Sequence, residues 1–143
     1  MQQNKTLKGD ALKKAVDAKK WDESVKSLTA TPDVLGMMSD KLDWTQRLGD
    51  AVLAQQTDVM DAIQRLRQKA QANDKLKTTK QQKVTTTQQS GKTYVAIEPA
   101  DPNTVYVPYY DPVTVYGEWP YAEYPPYYFG YPGYIGAGVL SSA

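Results

Sequence analysis

No lysine or arginine follows Lys92 in this chain. All 17 basic residues lie at or before it with 11 of the acids, so residues 1–93 carry a formal +6 and residues 94–143 a formal −5. The second stretch also holds all 11 Tyr, the single Phe, one of the 3 Trp and eight of the 9 Pro. The whole-chain charge of +1 is an average over two physically different segments. Prolines at that density break helices and central strands, so long helices are restricted to the first segment.

A chain of 143 residues has room for one ordinary domain or two small ones. It contains neither Cys nor His. Disulfides, thiolate chemistry, Ser-His-Asp and Cys-His machinery, the usual zinc sites and His-ligated haem are therefore excluded. Residues 1–20 are polar and do not read as a signal peptide. No apolar run reaches the roughly 20 residues of a spanning helix.

Residues 4–74 read as helical. Asp10 is a candidate N-cap for Ala11–Lys20, and Asp22 for a short helix carrying Val25 and Leu28. Thr31-Pro32 pairs a capping residue with proline at the first helical position, opening a helix with Val34, Leu35, Met37 and Met38. The longest helix is expected from Asp43 to Ala72. Trp44, Leu48, Val52, Gln55, Val59, Ile63, Leu66 and Ala70 fall three or four apart, which is one buried stripe. Asn73-Asp74 is its stop.

Residues 75–92 turn to Thr, Gln and Lys and read as a linker drifting into an edge strand, with a hairpin turn at Gln89-Ser90-Gly91-Lys92. Residues 93–116 read as a small antiparallel β-region. Thr93–Ile97, Thr104–Val107 and Val113–Tyr116 are its candidate strands, each limited in length by proline. Residues 117–143 form a Tyr/Pro/Gly-rich extended arm. The expected class is α+β: a bundle of short helices with one long amphipathic helix, a small antiparallel β-segment and the arm.

Several strings resemble a bacterial family, the domain of unknown function numbered thirty-three hundred. They include Leu42–Ala51 (LDWTQRLGDA), Asp58–Arg67 (DVMDAIQRLR), Ile97–Pro102 (IEPADP), Val105–Pro112 (VYVPYYDP) and Val115–Gly117 ahead of the Trp-Pro-Tyr segment. The match runs in order from about Leu7 to Tyr134. The resemblance implies an exported protein of a Gram-negative bacterium, in the periplasm or outer envelope, with a signal or lipoprotein-type N-terminus. It also implies a Gly/Ala-rich continuation after the Tyr/Pro segment. This sequence lacks the export signal and an earlier helical segment, so the expectation is a fragment or the ordered part of a longer protein. The family supplies no catalytic residues to carry over.

Among the remaining side chains, Glu98 with Asp101 and Glu118 with Glu123 are the carboxylate pairs that acid–base chemistry would need. Asp101-Pro102 and Asp111-Pro112 read better as turn starts, so no catalytic residue, metal ligand or cofactor is assigned. The basic clusters are interspersed with acids and the aromatic segment has the wrong sign for phosphate, which argues against nucleic acid. The Gly130, Gly133, Gly136 and Gly138 series lacks the context of a nucleotide loop.

The 13 aromatics of the last 50 residues exceed what a small β-core can bury. Tyr and Trp are rigid and amphipathic, suited to interfaces. Tyr109, Tyr110, Trp119, Tyr121, Tyr124, Tyr127, Tyr128 and Tyr131 are the candidate partner-binding residues. A protein partner or self-assembly is the first expectation. A glycan or peptidoglycan module is the second. Peripheral membrane association is open through segments flanking the chain. Whether the arm packs on its own helices or on another chain is left open.

Overall fold

The computed structural model describes residues 7 and 9–127. The chain divides into two compact units at the Asp40/Lys41 boundary.

The first unit holds three short helices, α1 (Gly9–Asp17), α2 (Glu23–Leu28) and α3 (Pro32–Asp40). Asp10 lies in the first turn of α1 rather than at its cap, and the helix stops at Asp17, short of the expected Lys20. Asp22 does cap α2: its carboxylate accepts from the Ser24 N–H at 2.9 Å and the Ser24 hydroxyl at 2.6 Å. Those two bonds hold the Asp22 carboxyl below its usual range. At Thr31 the carbonyl accepts the first helical bond from Leu35 N–H. The Thr31 hydroxyl instead donates back to Leu28 O at 3.1 Å, tying α3 to the end of α2.

The second unit is built on α4 (Leu42–Ala72). It is two helical pieces joined at Gln55, whose φ of −148° and ψ of 53° leave the helical region. Gln55 is exposed, so the stripe expected to run through it is two stripes, one on each piece. The helix ends where Asp74 takes a φ of 62° and the Lys75 and Leu76 N–H groups turn back to Ala70 O. This is the helix-closing geometry that Asn73-Asp74 announces.

After α4 comes a two-stranded antiparallel sheet of β1 (Gln82–Gln89) and β2 (Lys92–Pro99). Its register pairs Val84 with Ile97 and Thr86 with Val95. The two-residue turn has Ser90 at φ 52° and Gly91 at φ 75°, the left-handed pair that matches the twist of a hairpin. Val95, fully buried, Ala70, 3% exposed, and Pro112 are the buried apolar residues of this unit among those described.

The strands expected at Thr104–Val107 and Val113–Tyr116 do not form. Both long edges of the hairpin are already used. On the β2 edge, Gln64 imitates a neighbouring peptide: its Oε1 accepts from Val95 N–H at 2.8 Å and its Nε2 donates to Val95 O at 3.4 Å. Arg67 donates to the same carbonyl at 2.8 Å and Gln68 to Thr93 O at 2.9 Å. On the β1 edge, the Thr78 hydroxyl bonds both Val84 N–H and Val84 O. Side chains thus satisfy backbone groups that a third strand would need.

Pro112–Tyr116 is instead a short helix, α5. Asp111 caps it by accepting from Val113 N–H at 2.9 Å, and proline stands at its start. The start signal outweighs the β-branched Val-Thr-Val run. Asp101 opens the turn expected of it, accepting from Asn103 N–H at 2.9 Å and the Thr104 hydroxyl at 3.2 Å. The mixed α+β class stands, with a smaller sheet and one more helix than the sequence suggested.

Candidate functional site

Aromatic side chains converge on the N-terminal piece of α4. The chain reaches them through Gly117, whose φ of 78° and ψ of −164° lie in a region open to glycine alone. Asn73 Nδ2 donates to Val115 O at 3.0 Å, fixing α5 to the end of α4. The segment beyond Gly117 then folds on itself. Tyr124 N–H donates to Tyr121 O at 3.0 Å and the Trp119 indole N–H donates to Tyr124 O at 2.9 Å.

That turn carries Tyr127 back onto α4, where its ring meets Trp44 edge to face with centroids 5.7 Å apart. Lys41 Nζ lies 5.4 Å from the Tyr127 ring centroid, a cation–π contact. Between helix and arm an open cleft of about 910 Å³ remains. Trp44, Leu48 and Leu66 line it from α4, and Tyr110, Pro112 and Tyr116 from the α5 region. Trp119, Tyr124, Pro125, Pro126 and Tyr127 form the arm side. Asp43, Arg47 and Glu123 are its charged lining, and among the described residues none of the three is in an ion pair.

The Tyr110 and Tyr116 hydroxyls share a hydrogen bond, and their rings cross edge to face at 5.7 Å. Burial first, and the Tyr110 hydroxyl second, hold the Tyr116 phenol well above the ordinary tyrosine range. The neutral phenol is therefore the form the fold favours.

Of the expected partner-binding residues, Tyr110, Trp119, Tyr124 and Tyr127 line the cleft. Tyr121 lies outside it, 62% exposed, with its ring against Trp119 at 6.3 Å. Tyr109 is half-buried and does not line the cleft. Tyr128 and Tyr131, like the glycine series from Gly130, lie outside the described residues. The described arm, residues 117–127, packs on its own chain.

Sequence reasoning missed the helix wall. Trp44 and Leu48 were assigned to a core stripe, yet Leu48 is 40% exposed and both face the cleft. The available signal was the pairing of Asp43 and Arg47, one helical turn apart beside Trp44. Charged residues flanking a large ring are unusual for a closed core.

No cluster of metal-ligating residues occurs among the described residues. No helix among them is long and apolar enough to cross a membrane.

Comparison with known proteins follows the same lines. A family model described as "Protein of unknown function (DUF3300)" matches residues 1–142. "Uncharacterized protein YacH" of Escherichia coli strain K12 is 40% identical over 153 residues, covering 87% of this chain and 25% of that protein. The chain spans about a quarter of the length of the curated relative it matches. No solved structure matches it.

Proposed function

The chain belongs to the DUF3300 family of proteins of unknown function, and from that premise we propose that it is a non-enzymatic binding protein of the bacterial cell envelope. Its Tyr/Pro segment, folded against α4, makes the recognition surface for a partner or for assembly. The observation that carries this reading is the open cleft, lined by six aromatic rings of which Tyr124 and Tyr127 stay exposed. Aromatic surface of this kind is costly to leave bare in water and is characteristic of binding sites. The envelope setting is supported by the exported character implied by the sequence resemblance.

A non-catalytic role is favoured by what the candidate acids do. Asp101 uses its carboxylate to fix local backbone. Glu98 stands across from Lys83 in the sheet register.

The test is co-sedimentation of the full chain with washed envelope fragments of a Gram-negative cell. The wild-type chain is expected in the pellet and the Trp44→Ser/Tyr124→Ser double variant in the supernatant. Equal partition of the two proteins sinks the cleft reading. Fractionation of the native gene product checks the location, and a purely cytosolic result refutes it.

A further inference from the structure

We infer that the occupant of the cleft is a neutral oligosaccharide of hexopyranose units; this rests on the binding reading above and names its ligand class. The groups that the cleft leaves free point to this class. Its indole and phenol hydrogen bonds are partly committed inside the protein: Trp119 N–H to Tyr124 O, and Tyr110 with Tyr116. What these rings offer an incoming molecule is chiefly their surface. Ring faces carry negative quadrupole density and attract slightly positive C–H groups, which a pyranose presents on its flat sides.

The free polar groups are the Asp43, Arg47 and Glu123 side chains together with the Trp44 indole N–H and the Tyr124 and Tyr127 hydroxyls. Two carboxylates accept hydrogen bonds and one guanidinium donates them, and sugar hydroxyls do both. The set suits a ligand that is apolar on its faces and hydroxylated at its edges.

Other ligand classes fit less well. With Lys41 over Tyr127, the charges around the cleft balance, which gives phosphate and other anions no net attraction. A quaternary ammonium group needs a free ring face in a tight cage, but Lys41 already stands over Tyr127. The volume also exceeds what one such group fills. At about 910 Å³ the cleft lies near the top of the range for small-molecule sites, enough for several linked sugar rings rather than one.

The experiment titrates the full chain with cellotetraose, maltotetraose and tetra-N-acetylchitotetraose, following Trp fluorescence and the indole N–H resonances. A proline-rich decapeptide and inorganic phosphate are run in parallel. At least one tetrasaccharide is expected to shift Trp44 and Trp119 with a dissociation constant on the order of 1 mM or tighter. That affinity should be unchanged by added salt, because the ligand is uncharged. Trp44→Ala should abolish it. Asp43→Asn/Glu123→Gln, which keeps the shape, should weaken it by about tenfold. Circular dichroism matching the wild type establishes that each variant is folded.

No response to any of the three sugars overturns the inference, as does a response to peptide or phosphate alone. If sugars fail while envelope co-sedimentation still depends on Trp44 and Tyr124, the ligand class is wrong and the binding reading stands. If both fail, the cleft has no binding role.

Discussion

The two pieces of α4 meet their partners in opposite ways. Beyond Gln55 the helix closes onto the β-hairpin through Gln64, Arg67, Gln68 and Gln71, three of which bond backbone of β2 while Gln71 bonds the Thr86 hydroxyl. Before Gln55 the helix faces aromatic rings and prolines and the gap stays open. Small residues and amides let this end close, and Ala70 and Val95 are buried there. Rigid rings in edge-to-face contacts make corners that do not fill. One helix therefore carries a structural side toward the hairpin and a binding side toward the arm, and Leu66 extends the binding side beyond the break at Gln55.

The largest expected effect tests the closed end. Val95→Asp buries an unpaired charge at the one fully buried side chain among the described residues, and should cost at least about 4 kcal/mol and unfold the hairpin. Urea unfolding checks it, and a wild-type midpoint would show that the hairpin is not held by α4. Gln64→Leu removes the acceptor of Val95 N–H while Arg67 still holds the carbonyl, for a loss of about 1–3 kcal/mol. Hydrogen exchange at Val95 should accelerate correspondingly. If it does not, the imitation of a strand by Gln64 contributes nothing to the closed end.

Two changes probe the open end. Gly117→Ala forces a side chain into a glycine-only conformation, although the nearest atom to an added Cβ, Asn73 Nδ2, is 3.6 Å away. The cost, about 1–2 kcal/mol from backbone strain, should appear as release of the arm and a red shift of Trp119 emission, with hairpin protection unchanged. The smallest effect is alkaline. The Tyr116 hydroxyl titrates above its ordinary value in the fold, so the neutral form is the one the fold favours. That stability is fully present below the unfolded tyrosine pKa of about 10 and falls as pH rises above it. Tyr116→Phe should flatten this slope, and equal slopes would remove Tyr116 from the account.

Much of the architecture was legible because its causes are local. Asp22, Pro32, Asn73-Asp74 and Ser90-Gly91 act within a few residues, and the helix boundaries and hairpin turn follow from them. The misread parts were those where distant groups compete. Thr104–Val107 has strand composition but does not join the sheet, because Gln64 and Thr78 occupy its edges. Val113–Tyr116 was overruled by the cap beside it. Half the cleft was visible as aromatic excess. The other half was hidden because Trp44 at helical spacing looks the same whether it closes a core or lines a cleft.

By itself the sequence determined the division into a basic helical segment and an acidic Tyr/Pro segment, the exclusion of His and Cys chemistry, and membership of an uncharacterised family. Charge, ring content and proline constraints are properties of composition and short spacing. Only the tertiary structure decided that the described arm returns to its own helix, and that Asp43, Arg47 and Glu123 stand around one cavity with Trp44 and Trp119. These residues lie up to eighty positions apart. Their meeting depends on Gly117 reversing the chain and on Asn73 holding α5 against α4, contacts that no local pattern specifies.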